Sequence, residues 1–148
     1  MNKLLVSTLG LCLMAAPALA DGHATGDAAE GEKVFNQCKA CHSIVDAEDN
    51  IILRGGRNGP NLYGVYTRVA GSLEDFKYGD SLVEAGEAGL AWNEADFTAY
   101  VADPRACLRE YNDDNRARSN MSFKLRKEED ATNVWAYLVS VGPEVESN

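Results

Sequence analysis

The segment Cys38-Lys39-Ala40-Cys41-His42 constrains this chain more than any other feature of its sequence. Two cysteines separated by two residues can hold a metal ion or exchange a disulfide. They can also form two thioether bonds to a porphyrin, with the adjacent histidine beneath the iron. Each of these chemistries requires a different structural context, so the rest of the chain has to decide among them.

The first 20 residues have the pattern of a cleaved secretory signal. Lys3 gives a positive start, the run LLVSTLGLCLMAAPALA is apolar, and Ala18-Leu19-Ala20 is a small-residue cleavage site. The run is too short for a permanent membrane anchor. It also lacks the amphipathic pattern expected of the alternative, a buried N-terminal helix. We therefore predict a signal peptide at 1–20 and a single soluble domain at 21–148, located in the periplasm.

Export changes the interpretation of the cysteines, because the mature chain would keep only Cys38, Cys41 and Cys107. An odd number in an oxidising compartment excludes a fully paired disulfide framework. A thioredoxin-like dithiol would need a βαβ context, whereas a helix is predicted before Cys38. A structural zinc site needs four ligands, and outside the motif only Cys107 and His23 are available. Covalent haem c, which consumes two of the three sulfurs, is the interpretation that we favour.

Met121 is the only methionine left after removal of the signal. A lone methionine is ordinarily a core filler, but this one lies among polar residues in RARSNMSFKL, a segment without helical period. We predict that it binds the iron opposite His42, a pairing that raises the reduction potential. With Met121 off the iron, the open position would suit a haem enzyme or a small-gas sensor, which is the alternative function.

The charge of the chain is strongly negative but unevenly distributed. Without Lys3, 13 basic residues stand against 23 acidic ones, a net charge of −10, which disfavours nucleic acid as a partner. Residues 105–127 differ, with seven basic and three acidic side chains. An isolated charged run is most simply a solvated surface. Because this one surrounds Met121, we predict a positive docking face on a negative body.

Helical signals are short and are separated by long loops. Asp27 and Glu30 form a D-x-x-E variant of the capping box at the start of the first helix, preceded by a frayed terminus over 21–29. Residues 43–70 are predicted to form loops. The remaining helices are predicted at 80–88, from an N-cap at Asn93 to Asp103, at 104–108, and at about 128–141. Such short helices would pack better around a large apolar body than against one another.

Five segments carry a family resemblance: GEKVFNQCKACH, GPNLYGV, AWNEADFTAYVADP, NMSFKL and NVWAYL, in this order. Together they resemble class I cytochrome c, and the long loop after His42 resembles that of the large bacterial cytochrome c2 proteins. The resemblance covers about residues 27–141. It implies an all-α fold, with four to five short helices and long loops wrapped around one haem c per chain. That haem would be attached through Cys38 and Cys41, with His42 and Met121 as axial ligands.

The resemblance also implies roles for further residues. The carbonyl oxygen of Pro60 would accept a hydrogen bond from the His42 ring and fix its orientation. The haem propionates would be contacted by Arg68, Tyr78 and Trp92. Tyr100 would lie near the methionine sulfur, and Phe123 would shield the haem edge. Core packing is an alternative for Tyr78, Trp92 and Tyr100. Gly31 would let the first helix cross the last closely.

Two departures from the family pattern bear on function. Cys107 stands where the family commonly has an aromatic residue, so we expect a buried, small apolar side chain there. The acidity of the chain differs from that of basic family members, which leaves the partners open. The resemblance implies a monomer that is not an enzyme and that carries single electrons. A cytochrome bc complex would be the donor, and a reaction centre, a terminal oxidase or a denitrification reductase the acceptor.

Overall fold

The computed structural model describes residues 23–144, which contain five α-helices and one small sheet. The signal peptide predicted at 1–20 lies outside the described residues. In chain order the elements are α1 (Ala28–Phe35), β1 (Ile44–Val45), β2 (Ile51–Leu53), a 3₁₀ turn (Val65–Thr67), α2 (Asp80–Glu87), α3 (Glu94–Ala102), α4 (Pro104–Tyr111) and α5 (Glu128–Ser140). The all-α class that the resemblance implies is confirmed, with one two-stranded sheet beside the helices. None of the described helices has the length and apolar character needed to cross a membrane.

The crossing of α1 and α5 forms the main packing contact of the fold. Gly31 lies where the two backbones meet, since a Cβ atom there would stand 1.9 Å from the carbonyl oxygen of Asn133. Beside it the rings of Phe35 and Tyr137 pack with centroids 5.5 Å apart. Trp135 is fully buried and contacts Phe97 on α3, with centroids 5.2 Å apart. A glycine therefore fixes how closely the first and last helices approach.

The capping box predicted for α1 forms only in part. The Asp27 carboxylate accepts hydrogen bonds from the N–H groups of Ala29 and Glu30, as an N-cap should. The return bond from Glu30 is absent, because its carboxylate pairs with Lys33 at 2.6 Å. The N–H of Asp27 instead donates to the side chain of Asn133 at 2.7 Å. A tertiary contact with α5 has replaced the local one.

The prediction of a frayed terminus is wrong for residues 23–27. The indole N–H of Trp135 donates to the carbonyl oxygen of His23 at 2.9 Å, and a buried indole needs such an acceptor. The backbone N–H and the hydroxyl of Thr25 both donate to the carboxylate of Glu94, at 2.7 and 2.6 Å. This segment is therefore tied to both α5 and α3.

The prediction of loops alone over 43–70 is also wrong. Strands β1 and β2 pair antiparallel, with Ile44 opposite Leu53. The turn between them is built by Asp46, whose carboxylate accepts from the N–H groups of Glu48 and Asn50. Strands of two and three residues are too short to show an alternating apolar pattern in the sequence.

The other helices follow the sequence signals closely. Asn93 caps α3, accepting from the N–H of Asp96 at 2.9 Å, and Asp103 caps α4 through the N–H of Ala106. Helix α4 continues three residues beyond the predicted end, to Tyr111. Helices α2 and α5 end one residue earlier than predicted, with the last predicted residue acting as C-cap. These helices surround a central space, described next.

Candidate haem site

A cavity of about 320 Å³ lies at the centre of the fold. Its size is at the lower end of the roughly 300–1,000 Å³ of small-molecule and cofactor sites. All ten residues that the sequence analysis assigned to haem line it: Cys38, Cys41, His42, Pro60, Arg68, Tyr78, Trp92, Tyr100, Met121 and Phe123. These residues lie up to 85 positions apart in the chain, so only the tertiary structure brings them together.

The loop from Cys38 to His42 begins directly after α1 and turns tightly. The N–H groups of Cys41 and His42 both donate to the carbonyl oxygen of Cys38 at 3.0 Å. Two glycines support the loop from below, because Cβ atoms at Gly55 and Gly56 would lie 1.8 Å and 2.2 Å from its carbonyl oxygens. The sequence predicted RGGRNGP to be a loop but did not indicate that Gly55 and Gly56 support the motif through backbone contacts.

The ring of His42 is held in a defined orientation and protonation state. Its Nδ1 lies 2.8 Å from the carbonyl oxygen of Pro60, which makes Nδ1 the protonated nitrogen. Burial lowers the pKa of His42 and outweighs the opposite effect of this hydrogen bond. A Cβ atom at Gly59 would stand 2.3 Å from the ring. The imidazole is therefore neutral, and its Nε2 is the nitrogen free to bind a metal.

Both cysteines of the motif are free thiols in this structure, and Cys38 is half-buried whereas Cys41 is exposed. Burial, and to a smaller extent the neighbouring Cys41, raises the pKa of the Cys38 thiol to about 11. Two unpaired thiols and one neutral imidazole at the wall of one cavity suit a covalently attached porphyrin.

Met121 is held in place by a serine that sequence reasoning missed. The hydroxyl of Ser119 accepts from the N–H of Met121 at 3.1 Å, and it lies 3.2 Å from the hydroxyl of Tyr100. Burial raises the pKa of Tyr100, and the bond to Ser119 opposes this. Tyr100 thus contacts the methionine segment through Ser119. The S-x-M spacing is the only sequence signal that could have indicated the serine.

A second serine, Ser81 on α2, anchors the same segment. Its hydroxyl accepts from the N–H of Arg118 at 3.1 Å, and its carbonyl oxygen accepts from the amide of Asn112 at 2.8 Å. Asn112 is the C-cap of α4. Helix α2, helix α4 and the segment before Met121 are therefore connected through one residue. No local pattern in the sequence indicates this role.

Arg68 brings positive charge to the cavity. Its guanidinium is half-buried, which lowers its pKa, and it donates to the carbonyl oxygen of Asn61 at 2.8 Å. Within residues 23–144 it forms no ion pair with a carboxylate. Tyr78 is close enough for Arg68 to oppose the rise in its pKa that burial causes. A half-buried cation without a carboxylate partner among residues 23–144 suits a ligand that carries carboxylates.

The aromatic residues of the cavity also pack on one another. The rings of Trp92 and Tyr100 meet edge to face, with centroids 5.2 Å apart. Phe123 is 37% exposed and lies at the edge of the cavity. Cys107 departs from our expectation, since it is only half-buried. It packs at the margin of the core, where an α4 residue stays partly open to solvent.

Comparison with known proteins agrees with this geometry. Residues 28–142 match the family model described as "Cytochrome c". The chain belongs to the cytochrome c family. This cytochrome c is 50% identical to "Cytochrome c-551" of Roseobacter denitrificans, over 95% of this chain and 96% of the relative. It is 49% identical to "Cytochrome c2" of Rhodobacter capsulatus, over 94% of this chain and 96% of that relative.

Solved structures lead to the same family. The crystal structure of cytochrome c2 from Rhodobacter sphaeroides superposes with a TM-score of 0.79 at 50% identity, covering 82% of this chain and all of that one. Ferric cytochrome c-550 from Paracoccus versutus gives 0.76 at 45% identity, with 80% and 100% covered. The predictions of a class I cytochrome c fold, of one covalent haem c, and of an electron carrier rather than an enzyme are confirmed.

Proposed function

We propose that this cytochrome c carries single electrons between membrane-bound or soluble redox proteins in the periplasm. Removal of residues 1–20 would release a single soluble domain, 21–148, that works as a monomer. The observation that carries the proposal is that His42 and Met121, the two candidate iron ligands, line the same cavity as the C-x-x-C-H cysteines.

Each candidate residue has a distinct part in this proposal. Cys38 and Cys41 would hold haem c covalently through their sulfurs, and His42 Nε2 and the Met121 sulfur would bind its iron. The carbonyl of Pro60 holds the His42 ring by accepting its Nδ1 proton in a hydrogen bond of 2.8 Å. Haem c supplies one-electron iron chemistry when bound. With both residues on the iron, no position would remain open for a substrate, which would favour electron transfer over catalysis.

The polar residues of the cavity would neutralise and orient the cofactor. Arg68 would offer its guanidinium to the propionates, together with Tyr78 and Trp92. Tyr100 is linked to the methionine segment through Ser119 and would restrain it. Phe123, 37% exposed at the cavity, would shield the haem edge.

The basic segment 105–127 supplies the docking face. Three of its cations are already paired, since Arg116, Lys124 and Lys127 lie within 3.3 Å of carboxylates. Arg118 is exposed, lines the cavity and forms no ion pair within the described residues. An exposed, unpaired cation at the cavity is well placed to meet an acidic partner and to accelerate encounter at low salt.

The proposed partners are other redox proteins. A cytochrome bc complex would reduce this protein, and a reaction centre, a terminal oxidase or a denitrification reductase would oxidise it. The interface would be small and short-lived, as turnover requires.

Spectroscopy of the purified holoprotein tests the iron ligands. Methionine ligation gives the ferric protein a weak far-red sulfur-to-iron band, and the reduced protein should resist added carbon monoxide. A missing band together with ready carbon monoxide binding would favour the haem enzyme or gas sensor instead.

Stopped-flow kinetics against each candidate partner tests the docking face. Arg118→Glu should slow oxidation or reduction at low ionic strength, and the difference should shrink as salt screens the charge. Arg54→Glu makes the same charge change on an exposed residue outside segment 105–127 and serves as control. Equal slowing by both variants would mean that only net charge matters, and the docking face would be wrong.

A further inference from the structure

The predicted cleavage after Ala20 places Asp21-Gly22-His23 at the N-terminus of the mature chain. A histidine in the third position has particular chemistry. The free α-amine, the backbone nitrogens of residues 2 and 3 and the imidazole Nδ1 can enclose one ion as four nitrogen donors in a plane. Such tetragonal nitrogen sets are typical of Cu(II) and Ni(II). Neither Gly22 nor His23 is proline, so both amide nitrogens are available as donors.

We propose that the mature N-terminus, Asp21-Gly22-His23, is a binding site for Cu(II) or Ni(II) that is separate from the haem. The four donors are the Asp21 α-amine, the amide nitrogens of Gly22 and His23, and the His23 imidazole. Binding displaces both amide protons, and the ammonium proton where present, to the solvent. The proposal goes beyond electron transfer and depends on the proposed cleavage after Ala20.

The structure leaves His23 free for this role. The residue is exposed, and its contact with the fold runs through its carbonyl oxygen, which accepts from the buried indole of Trp135 at 2.9 Å. The carbonyl oxygen is not one of the four donors, so this contact and metal binding are compatible. His23, the last residue of the proposed chelate, is also the first residue of the segment 23–27 that is tied to α3 and α5.

The other histidine cannot take the place of His23. The chain contains two histidines, and the second, His42, lies in the cavity with its Nδ1 bonded to Pro60. If copper is bound outside the haem site with an imidazole among its ligands, that imidazole must therefore belong to His23. Zn(II) prefers tetrahedral sites and should bind poorly here.

Copper binding to the full mature holoprotein tests the proposal. Mass spectrometry first establishes the N-terminal residue, and a chain that begins anywhere other than Asp21 overturns the proposal. One equivalent of copper(II) chloride is then added, and the protein is dialysed against excess glycine. We expect one copper per chain to remain, with nitrogen hyperfine structure in the electron paramagnetic resonance spectrum of the reduced protein, whose low-spin ferrous haem is silent. Loss of the copper on dialysis overturns the proposal.

Three variants separate this chelate from other copper sites. His23→Ala keeps the carbonyl that contacts Trp135, so the fold should persist, but retained copper should be lost. The loss in affinity should exceed the roughly 10–100-fold that removal of an outer-shell partner costs. One alanine added before Asp21 moves the histidine to position four and should also abolish retention. Asp21→Asn is the matched control and should retain copper; loss there would indicate a carboxylate site and overturn the proposal.

Nickel chloride provides a second readout, because a thiol such as Cys107 does not reduce Ni(II). Square-planar Ni(II) should be retained by the unaltered protein and lost from His23→Ala. Retention by both would overturn the assignment to His23. The haem spectrum of each sample is recorded in parallel. An unchanged spectrum with lost copper locates the failure at the N-terminus, whereas a missing haem spectrum would contradict the proposed electron-transfer function.

Discussion

The two sides of the cavity are built in different ways. On the histidine side, glycines at 55, 56 and 59 let backbone pack against the C-x-x-C-H loop, and Pro60 fixes the ring. On the methionine side, the segment 117–121 is irregular and is held by the hydroxyls of two serines. One candidate ligand is set in packed backbone, whereas the other depends on a few side-chain hydrogen bonds.

This difference indicates which side should yield first under stress. Close packing of backbone on backbone can be lost only if the whole C-x-x-C-H loop moves. A hydrogen bond between side chain and backbone contributes only about 0.5–1.5 kcal/mol net. We therefore expect the methionine segment to open before the fold unfolds, with the histidine side intact.

Met121→Ala should produce the largest change, because it removes a proposed iron ligand. The far-red band should disappear, carbon monoxide should bind, and the reduction potential should fall. The fall should be a sizeable part of the about 0.8 V over which axial ligands set haem potentials. Spectroelectrochemistry measures it, with Ser122→Ala as a neighbouring exposed control. An unchanged potential would show that Met121 is not a ligand.

Gly59→Ala should damage the histidine side. The added Cβ would lie 2.3 Å from the His42 ring, so the ring or the loop must move. Overpacking of this kind costs about 1–3 kcal/mol in the free energy of unfolding. Denaturant titration of the holoprotein measures the cost, and Arg57→Ala on the exposed surface should change stability little. A fully stable Gly59→Ala variant would mean that the histidine side is not tightly packed.

Ser119→Ala should loosen the methionine side while leaving the fold intact. It removes two hydrogen bonds, so the free energy needed to open the segment 117–121 should fall by about 1–3 kcal/mol. The far-red band should then vanish at a lower denaturant concentration than global unfolding.

A double variant sharpens the same comparison. Ser81→Ala removes one bond to the segment and should cost about 1 kcal/mol. If both serines hold one segment, the effects of Ser81→Ala and Ser119→Ala should not add in the double variant. Simple additivity would mean that the two contacts act independently.

Loss of the ion pair between Asp103 and Lys124 should have the smallest effect on the protein, a change in the pKa of one exposed carboxylate. The hydrogen bond from Lys124, at 2.5 Å, is the main reason that the pKa of Asp103 is lowered. The pKa of Asp103 is lower in the folded than in the unfolded chain. The ion pair therefore stabilises the fold at pH values above the unfolded pKa, and this stabilisation is lost as the pH falls through the folded pKa. Lys124→Ala should return the pKa towards its ordinary value, as nuclear magnetic resonance titration would show. Arg126→Ala should leave it unchanged.

The sequence predicted the helices well because their signals are local. Asn93 and Asp103 were identified as boundaries from residue type alone, and both act as N-caps. The errors fall where a distant partner decides the outcome. The return bond of the capping box is absent, since Glu30 pairs with Lys33 and the N–H of Asp27 donates to Asn133 on α5. The segment 23–27 is ordered because the buried indole of Trp135 needs an acceptor.

The candidate site divides in the same way. The spacing of Cys38, Cys41 and His42, together with the odd cysteine count and the lack of further metal ligands, predicted the chemistry of the cofactor without any structure. The support of the site was not predictable. Gly59 and Ser81 carry no signal of their own, since each matters only through an atom that a distant part of the chain places beside it.

The sequence alone therefore predicted the haem chemistry, the positions of the helices and the uneven charge, all of which follow from residue type and short spacing. The tertiary structure decided how tightly each candidate ligand is held, which cations remain unpaired and where the N-terminal segment is anchored. These properties depend on contacts across the chain, whose energies are set by packing and hydrogen-bond geometry rather than by local pattern.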